Sequence, residues 1–542
     1  MTLALTLFLA LFITLGAVPL LRKVAERAHI MDIPDDRKVH TRPIPKIGGL
    51  AMALGFFIPV LLWLNFSPFV SALVISTALL VIAGCADDIY NLGYKPKFLG
   101  QIAAALIIML YGGIQIRSLG MLLPDGMLLP GFISVPLTLF VIVGITNAIN
   151  LADGLDGLAG GLTLITFMCL CALAYPSGDY TVLFLCMVMF GVLIGFLNYN
   201  TFPATVFMGD AGSQILGFIA IVLSLRLTQT SEAISPLLPL LIVGFPIIDT
   251  LVVMLERARK GRPLFVADNN HFHHKLLKLN LYHSEAVFII YLLHSLLVMC
   301  AYLLRFFSDW IILGVFMLLA GIVVGFFQFA QATDFMFKRS FQPFKVRLRV
   351  FKNRSVLLRL ASMPLLYILP VLLLANCVMV ESLPTLPAYI AAGTALIIAI
   401  LWIVRFNKLS GLLRVVLYFS IPAVIYIRQD LPELLWGFNI KPLYPALFII
   451  CLLSALVVIR YDRRRTGFKP SPMDYLILLL AIIVPSLLAP IMDAQKTRAF
   501  LAQVLIFLYC YEIMLNQRRM GFNAVTVTTI GVLIIMAFKG IV

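Results

Sequence analysis

The chain has 542 residues, 62% of them hydrophobic and 12% charged, against roughly 45–50% and about 25% in soluble domains. That balance excludes a soluble globular protein, because so much apolar surface needs lipid as its solvent. The net charge of +16 does not point to nucleic acid either: the basic residues cluster in short segments between apolar runs, the positive-inside pattern, and no basic stripe interleaves with aromatics as a base-stacking platform.

Crossing a bilayer takes ~20 apolar residues. In chain order, that length predicts spans near 3–21, 47–65, 69–86, 98–114, 132–149, 158–176, 181–198, 211–227, 236–256, 286–305 and 310–330. A second set follows near 363–380, 386–404, 412–427, 442–459, 474–491, 499–515 and 522–538. The expected fold class is an all-α polytopic membrane protein of about 18 transmembrane helices, about 11 in a first half and about 7 in a second. The run 3–21 lacks a basic n-region and is followed by Arg22 and Lys23, so it reads as a retained span and not a cleaved signal. The eight cysteines lie in apolar stretches without a CxxC pair and read as small buried hydrophobes.

The loop after the first span holds Arg22, Lys23, Arg27, Arg37, Lys38, Arg42 and Lys46, which places it in the cytoplasm. Alternation then puts the basic segments 257–278 and 338–359, the Arg463-Arg464-Arg465 run and Arg518-Arg519 on the same side, with both chain ends outside. The basic segment 331–362 divides a first half, 1–330, whose loops are polar and patterned, from a second, 363–542, whose loops are brief and hold nothing resembling a site.

Four constellations in the first half carry chemistry. Asp87-Asp88 ends the third span and precedes Lys95 and Lys97. Adjacent carboxylates there can bind a divalent cation or supply a base; the plain alternative is a solvated helix end, but two acids at a helix C-terminus oppose its dipole and need a partner. Asn147, Asn150, Asp153 and Asp156 follow at i, i+3 spacing, which predicts a polar ridge on one helical face. A cap would need one such residue. Asp210, in Phe207-Met208-Gly209-Asp210, can cap the next span or hold a metal. Last, His271, His273 and His274 stand beside Lys275 and Lys278, which suits a phosphate contact, with zinc disfavoured by the missing cysteine and helical spacing. By the basic-loop count all four lie on the cytoplasmic side, where an anionic diphosphate bridged by a hard cation suits them.

Five stretches resemble the polyprenyl-phosphate N-acetylhexosamine-1-phosphate transferase family, in its order: Asp36-Arg37-Lys38-Val39-His40 to Lys46-Ile47-Gly48-Gly49, then Asp87-Asp88, Asn147 to Gly157, Phe207 to Ser213, and His271 to His274. The likeness covers residues 1–330. The phospho-MurNAc-pentapeptide branch has three consecutive histidines followed by Phe and Glu. This chain reads His271-Phe272-His273-His274, similar to the branch that uses simple UDP-N-acetylhexosamines. The resemblance implies a bacterial inner-membrane enzyme that transfers N-acetylhexosamine-1-phosphate from a UDP-sugar, UDP-GlcNAc first among them, to undecaprenyl phosphate.

Mg²⁺ would be the cofactor, with Mn²⁺ able to substitute. By the same resemblance Asp87 and Asp88 handle the lipid phosphate, one of them as base. Asp210 leads the metal ligands, with Asp153 beside it. Asn150, Asp153 and Asp156 position the uridine diphosphate or the metal, and Asp156 counts with the catalytic set. His271, His273 and His274 hold the sugar-phosphate region, and Lys46 lies near the pyrophosphate, with Lys95, Lys97 and Asn147 as further substrate contacts. Direct attack by the lipid phosphate and a route through a phospho-aspartate both stay open. The partners are the UDP-sugar, the polyprenyl phosphate and the bilayer, with no nucleic acid. Homodimerisation is among the roles open to 363–542. Two other classes are weighed against this one: a lipid flippase or transporter, which would place polar residues at the bilayer midplane, and a non-catalytic scaffold, which would tolerate loss of the acids.

Overall fold

The computed structural model describes residues 2–34, 42–124, 127–230, 234–259, 261, 271–333, 336, 354–380, 383–404, 409–427, 434–435, 438–439, 443–461, 476, 494–516 and 520–541. The stretch Asp36 to His40 and the run Asp268 to Asn270 lie outside the described residues. The chain forms two compact units, Met1–Pro343 with Pro470–Leu487, and Phe344–Lys469 with Leu488–Val542. Among the described residues, ten helices are long and apolar enough to cross a membrane, and four apolar helices are shorter. The chain is an all-α polytopic membrane protein.

In the first unit, α1 (Thr2–Arg27), α2 (Gly48–Trp63), α3 (Pro68–Tyr90), α4 (Tyr94–Leu110), α5 (Gly131–Ala152), α6 (Leu158–Ser177), α7 (Tyr180–Asn200) and α8 (Gly209–Thr230) follow the predicted spans closely. So do α12 (His283–Leu303) and α13 (Asp309–Ala332). Two predictions need correction. The 236–256 run is not one span: it breaks into the single turn α9 (Pro239–Ile242) and α10 (Gly244–Arg259). Gly244 and Pro246 stand at the break, where proline supplies no donor to continue a helix. The 47–65 run forms a helix of only 16 residues, about 24 Å at the α-helical rise and shorter than a bilayer core. The 474–491 run lies outside the described residues except Leu476, so the described residues do not establish a total of eighteen spans.

Helix α8 is the most enclosed of the set, with 94% of its apolar window buried; it packs against α2, α3, α5 and α6. Glycines set how close those helices come. A Cβ on Gly49 would lie 2.3 Å from the Gly212 nitrogen, and one on Gly84 would lie 2.5 Å from the Ala211 nitrogen. Backbone-to-backbone contact of this kind needs small residues. It brings the C-terminal end of α3 against the N-terminal end of α8. Outward residues such as Ile82, Phe132, Phe140 and Leu318 are exposed, as expected of a lipid-facing surface.

A two-stranded antiparallel hairpin, β1 (Met31–Asp32) with β2 (Ile44–Pro45), precedes α2. The segment after it runs beside residues 207–208: the Phe207 N–H donates to Pro45 O at 2.9 Å, Gly48 N–H to Phe207 O at 2.9 Å, and Gly49 N–H to Met208 O at 2.8 Å. Lys46 is thereby fixed next to the start of α8.

The second unit is built of α14 (Arg354–Val378), α15 (Thr385–Ile403), α16 (Leu409–Ile427), α17 (Leu443–Tyr461), α18 (Ala494–Asn516) and α19 (Met520–Ile541), with a short hairpin β3 (Leu434–Leu435) and β4 (Phe438–Asn439). Helix α14 packs on α17 and α19, α15 on α19, and α16 on α18. Two polar links tie these helices: Arg414 Nε to Glu512 Oε1 at 2.7 Å, and the Tyr444 hydroxyl donating to Asn376 Oδ1 at 2.6 Å. Polar residues in lipid gain most when paired with each other in this way.

Candidate active site

Where α3, α4, α5 and α8 end or begin together, the first unit encloses a cavity of about 430 Å³. Six aspartates line it, Asp32, Asp87, Asp88, Asp153, Asp156 and Asp210, with Lys46, Lys97, Asn91, Asn150, Asn200, His274 and His283. Acids separated by more than a hundred residues in sequence thus share one pocket.

The adjacent acids of α3 have different duties. Asp88 accepts the backbone N–H groups of Asp210 at 3.0 Å and Ala211 at 3.3 Å. It caps the N-terminus of α8 from a neighbouring helix, where a negative charge meets the positive end of the dipole. Gly209, with φ +66, leaves room for it: a Cβ there would lie 2.3 Å from Asp88 Oδ2. Asp87 instead pairs its Oδ2 with Lys97 Nζ at 2.8 Å, while its Oδ1 is buried without a hydrogen-bond partner. The residue Asn91 closes α3 in the left-handed conformation, φ 49. The chain reverses within three residues, so Lys97 in the first turns of α4 lies back over Asp87.

Asp210 is held on both oxygens. Asn150 Nδ2 donates to Oδ1 at 2.8 Å and also reaches Ser213 Oγ at 2.7 Å. Lys97 pairs with Oδ2. The ammonium of Lys97 therefore stands between Asp87 and Asp210.

The expected ridge along one helical face is only half right. Helix α5 ends at Ala152, so Asp153 and Asp156 sit on a turn beyond it, where Gly154 and Gly157 favour leaving the helix. Asn150 faces the cavity; Asn147, one turn earlier, is not among its walls. The turn is held from several sides. Ala204 N–H donates to Asp156 Oδ2 at 2.8 Å, Gly157 N–H to Asn200 Oδ1 at 3.0 Å, and the buried Tyr291 hydroxyl to Gly157 O at 2.6 Å. Gly157 has φ +80, a conformation that suits glycine. Burial, and then the charges of Asp210, Asp156 and Asp88, push the Asp153 carboxyl up to about 8.

The histidines divide. The short helix α11 (Phe272–Lys278) starts right after His271. His274 lines the cavity. His271 does not; its Nδ1 meets Asp249 Oδ2 at 3.1 Å, and the Phe272 N–H donates to Asp249 Oδ1 at 2.7 Å. His273 is buried against the acidic turn. A Cβ on Gly154 would lie 2.2 Å from its Nε2, and burial followed by the charge of His274 holds its pKa down to about 3. His273 is thus a neutral wall behind the turn. Lys275, expected near phosphate, pairs with Glu256 and lies over the Phe327 ring, because α11 directs it towards α10 and α13. The three histidines do not converge on one point, since His271 turns to Asp249 and His273 packs against Gly154; among the described residues no group of three His, Cys, Asp or Glu side chains stands ready-placed around any ion, zinc or magnesium. Lys95 is exposed and is not among the walls of this cavity. Lys46 lines the cavity and pairs with Asp32 at 3.1 Å.

Sequence reasoning missed Asp32, Asn91, Asn200, Asp249, His283 and Tyr291. His283 stacks on Phe202, ring centroids 4.4 Å apart, and its Nε2 lies 3.4 Å from the Asp156 carbonyl. An acid inside an apolar run is a visible signal for Asp249. Tyr291 and Asn200 look like ordinary helix residues until the turn they hold is seen.

The donors are chemically those that suit a hard divalent cation, although among the described residues no three of them stand ready-placed around one point. Carboxylates outnumber ammonium groups, burial and then neighbouring charge push Asp153 towards its neutral form, and Asp87 Oδ1 is a buried acceptor with no donor. Oxygen ligands of this kind suit Mg²⁺, Mn²⁺ or Ca²⁺ better than softer metals.

Residues 70–228 match the model of glycosyl transferase family 4. A probable undecaprenyl-phosphate N-acetylglucosaminyl 1-phosphate transferase of Bacillus subtilis (strain 168) is 34% identical over 338 residues, 62% of this chain and 93% of the relative. The undecaprenyl-phosphate alpha-N-acetylglucosaminyl 1-phosphate transferase of Yersinia pestis is 32% identical over 305 residues, 55% of this chain and 84% of the relative. That of Escherichia coli (strain K12) is 30% identical over 305 residues, 55% and 83%. The chain belongs to glycosyl transferase family 4, on the branch of the undecaprenyl-phosphate N-acetylglucosaminyl 1-phosphate transferases, and carries a further C-terminal membrane region.

Proposed function

We propose that the protein transfers N-acetylhexosamine-1-phosphate from a UDP-sugar, UDP-GlcNAc first among the candidates, to undecaprenyl phosphate, releasing UMP. This would be the first membrane step of a cell-surface glycan. The observation that carries the reading is the single cavity in which Asp87, Asp88, Asp153, Asp156 and Asp210 meet Lys46 and Lys97. The basic-loop pattern supports a cytoplasmic mouth, where nucleotide sugars are found.

In the reaction an oxygen of the lipid phosphate attacks the β-phosphorus of the donor. The bond from that phosphorus to the bridging oxygen breaks, and UMP leaves with the electron pair. Both reactants are anionic, so the site's work is positioning and charge neutralisation. Lys46, held by Asp32, and Lys97 offer ammonium groups to phosphoryl oxygens. Asp87 keeps the attacking phosphate ionised; Asp88 is committed to the backbone of α8 and serves by fixing Asp210. Asn150 orients Asp210, and His274 and His283 stand on the cavity wall near Asp156 for the sugar-phosphate. Asp210, with Asp87 and Asp153, would hold Mg²⁺, which would supply neutralisation of the charge building on the leaving UMP.

The test is incubation of the purified chain with UDP-GlcNAc, undecaprenyl phosphate and Mg²⁺, with UMP measured against time and other UDP-sugars run in parallel. UMP release that requires all three components is the expected result. Absence of release with every UDP-N-acetylhexosamine would reject the proposal in favour of a flippase or scaffold.

A further inference from the structure

We propose that Lys97 is the site's own counter-ion: it holds the place between Asp87 and Asp210 until a divalent cation and a diphosphate enter together, and then transfers its ammonium to the diphosphate. This inference rests on the transferase reading above, and it deepens that reading by making metal and nucleotide binding mutually dependent.

Four observations carry it. The ammonium bridges two carboxylates that come from different helices, 2.8 Å from Asp87 Oδ2 and in contact with Asp210 Oδ2. The remaining oxygen of Asp210 is already held by Asn150, so Oδ2 is the atom left to face an incoming cation, and Lys97 occupies it. Asp87 Oδ1 is buried with no donor, an acceptor that a lysine cannot serve from its present position. Finally, the Lys97 side chain retains 29% of its exposure on the cavity wall, so it has open space to swing into. The other lysine of the cavity cannot exchange roles, because Lys46 is paired with Asp32 and pinned by the strand-like contact with Phe207.

The charges then set an order of events. A cation entering alone must expel Lys97 from two carboxylates and leave it without an anion. A diphosphate entering alone meets the carboxylates of the cavity and finds Lys97 already engaged. When both enter, the cation replaces the ammonium between Asp87 and Asp210, and the released ammonium gains phosphoryl oxygens. Each ligand therefore raises the affinity for the other, and thermodynamic reciprocity requires the two effects to be equal. The flexible, strongly hydrated lysine suits such an exchange better than a planar arginine fork, which would lock on a carboxylate.

The test uses the full chain in detergent, with Mn²⁺ as a paramagnetic probe and UDP as a diphosphate that cannot be transferred. In the wild type, the Mn²⁺ dissociation constant is expected to fall at least about tenfold when UDP is present, after correction for Mn²⁺–UDP formed in solution; that is about 1.4 kcal/mol of coupling. Lys97→Met should bind Mn²⁺ at least about tenfold more tightly than wild type without UDP, and gain little when UDP is added. Its melting temperature in EDTA should drop and recover with Mn²⁺. Equal wild-type affinity with and without UDP overturns the proposal, whether or not the variant folds. So does a Lys97→Met protein that binds Mn²⁺ no more tightly than wild type. Failure of the transferase reading shows separately, as wild-type protein that releases no UMP from UDP-GlcNAc and undecaprenyl phosphate.

Discussion

Replacing Asp88 by asparagine, and Asp87 likewise, separates two adjacent acids that share a charge and differ in their work. Asp88 accepts two backbone N–H groups at the start of α8, at 3.0 and 3.3 Å. A hydrogen bond to a charged acceptor contributes about 1.5–3 kcal/mol. An asparagine keeps one acceptor oxygen and turns an amide group towards the other N–H, so about one such bond is lost. The dipole's attraction for that charge, about 0.3–1 kcal/mol, is offset by burial and by the neighbouring charge of Asp210. Asp88→Asn should therefore cost about 1.5–3 kcal/mol and lower the melting temperature by about 2–4 °C for a unit of roughly 360 residues. Asp87 has one oxygen on Lys97 and one on nothing, and Lys97 keeps Asp210 as a partner. Asp87→Asn should therefore change stability by no more than about 1 kcal/mol, while transfer falls about a hundredfold or more. Thermal unfolding in detergent by size-exclusion recovery, beside UMP-release kinetics, reads both. An Asp88→Asn protein as stable as wild type, or an Asp87→Asn protein that is the less stable of the two, would refute the division of roles.

Three further outcomes follow from the same geometry. Asp210→Asn should abolish Mg²⁺-dependent UMP release while the protein still inserts and purifies as a monodisperse species; near-normal turnover would remove Asp210 from the metal set. With its pKa about 8, Asp153 holds a proton at pH 7 that an entering cation displaces. Calorimetric Mg²⁺ titrations in the presence of UDP, in buffers of different ionisation heat, should show close to one proton released at pH 7 and little at pH 9; the stability sign agrees, since an acid raised from about 3.9 costs the fold stability as pH climbs towards 8. Gly154→Ala drives a methyl to within 2.2 Å of His273 Nε2 and should lower transfer about tenfold, with His273→Ala restoring stability to the double variant; independent, additive effects would contradict the contact.

The membrane fold was legible in the sequence because lipid imposes one strong rule, that every buried span be a helix of near-constant length. That rule placed α1, α3 to α8, α12 and α13 within a few residues of where they lie. It failed at 236–256, where apolarity continues through Gly244 and Pro246 while the backbone does not, because hydropathy counts side chains and the break is a matter of donors and backbone freedom. The acids were legible too, since two adjacent carboxylates at a helix C-terminus oppose its dipole and need a partner, and four Asn and Asp side chains at i, i+3 spacing exceed what a cap requires. Their partners were not. Nothing in Asp87-Asp88 tells that one caps α8 and the other holds Lys97.

By itself, then, the order of residues determined a polytopic helical protein, the acids and histidines that matter, and the family they resemble. Only the tertiary structure decided which of them meet. His274 reaches the cavity while His271 and His273 turn behind it, and Tyr291, His283 and Asn200 from distant helices hold the acidic turn. The reason is physical: whether side chains meet depends on how closely helices approach, and here contacts at Gly49 and Gly84 bring α2 and α3 onto the backbone of α8, a distance that no one-dimensional pattern encodes.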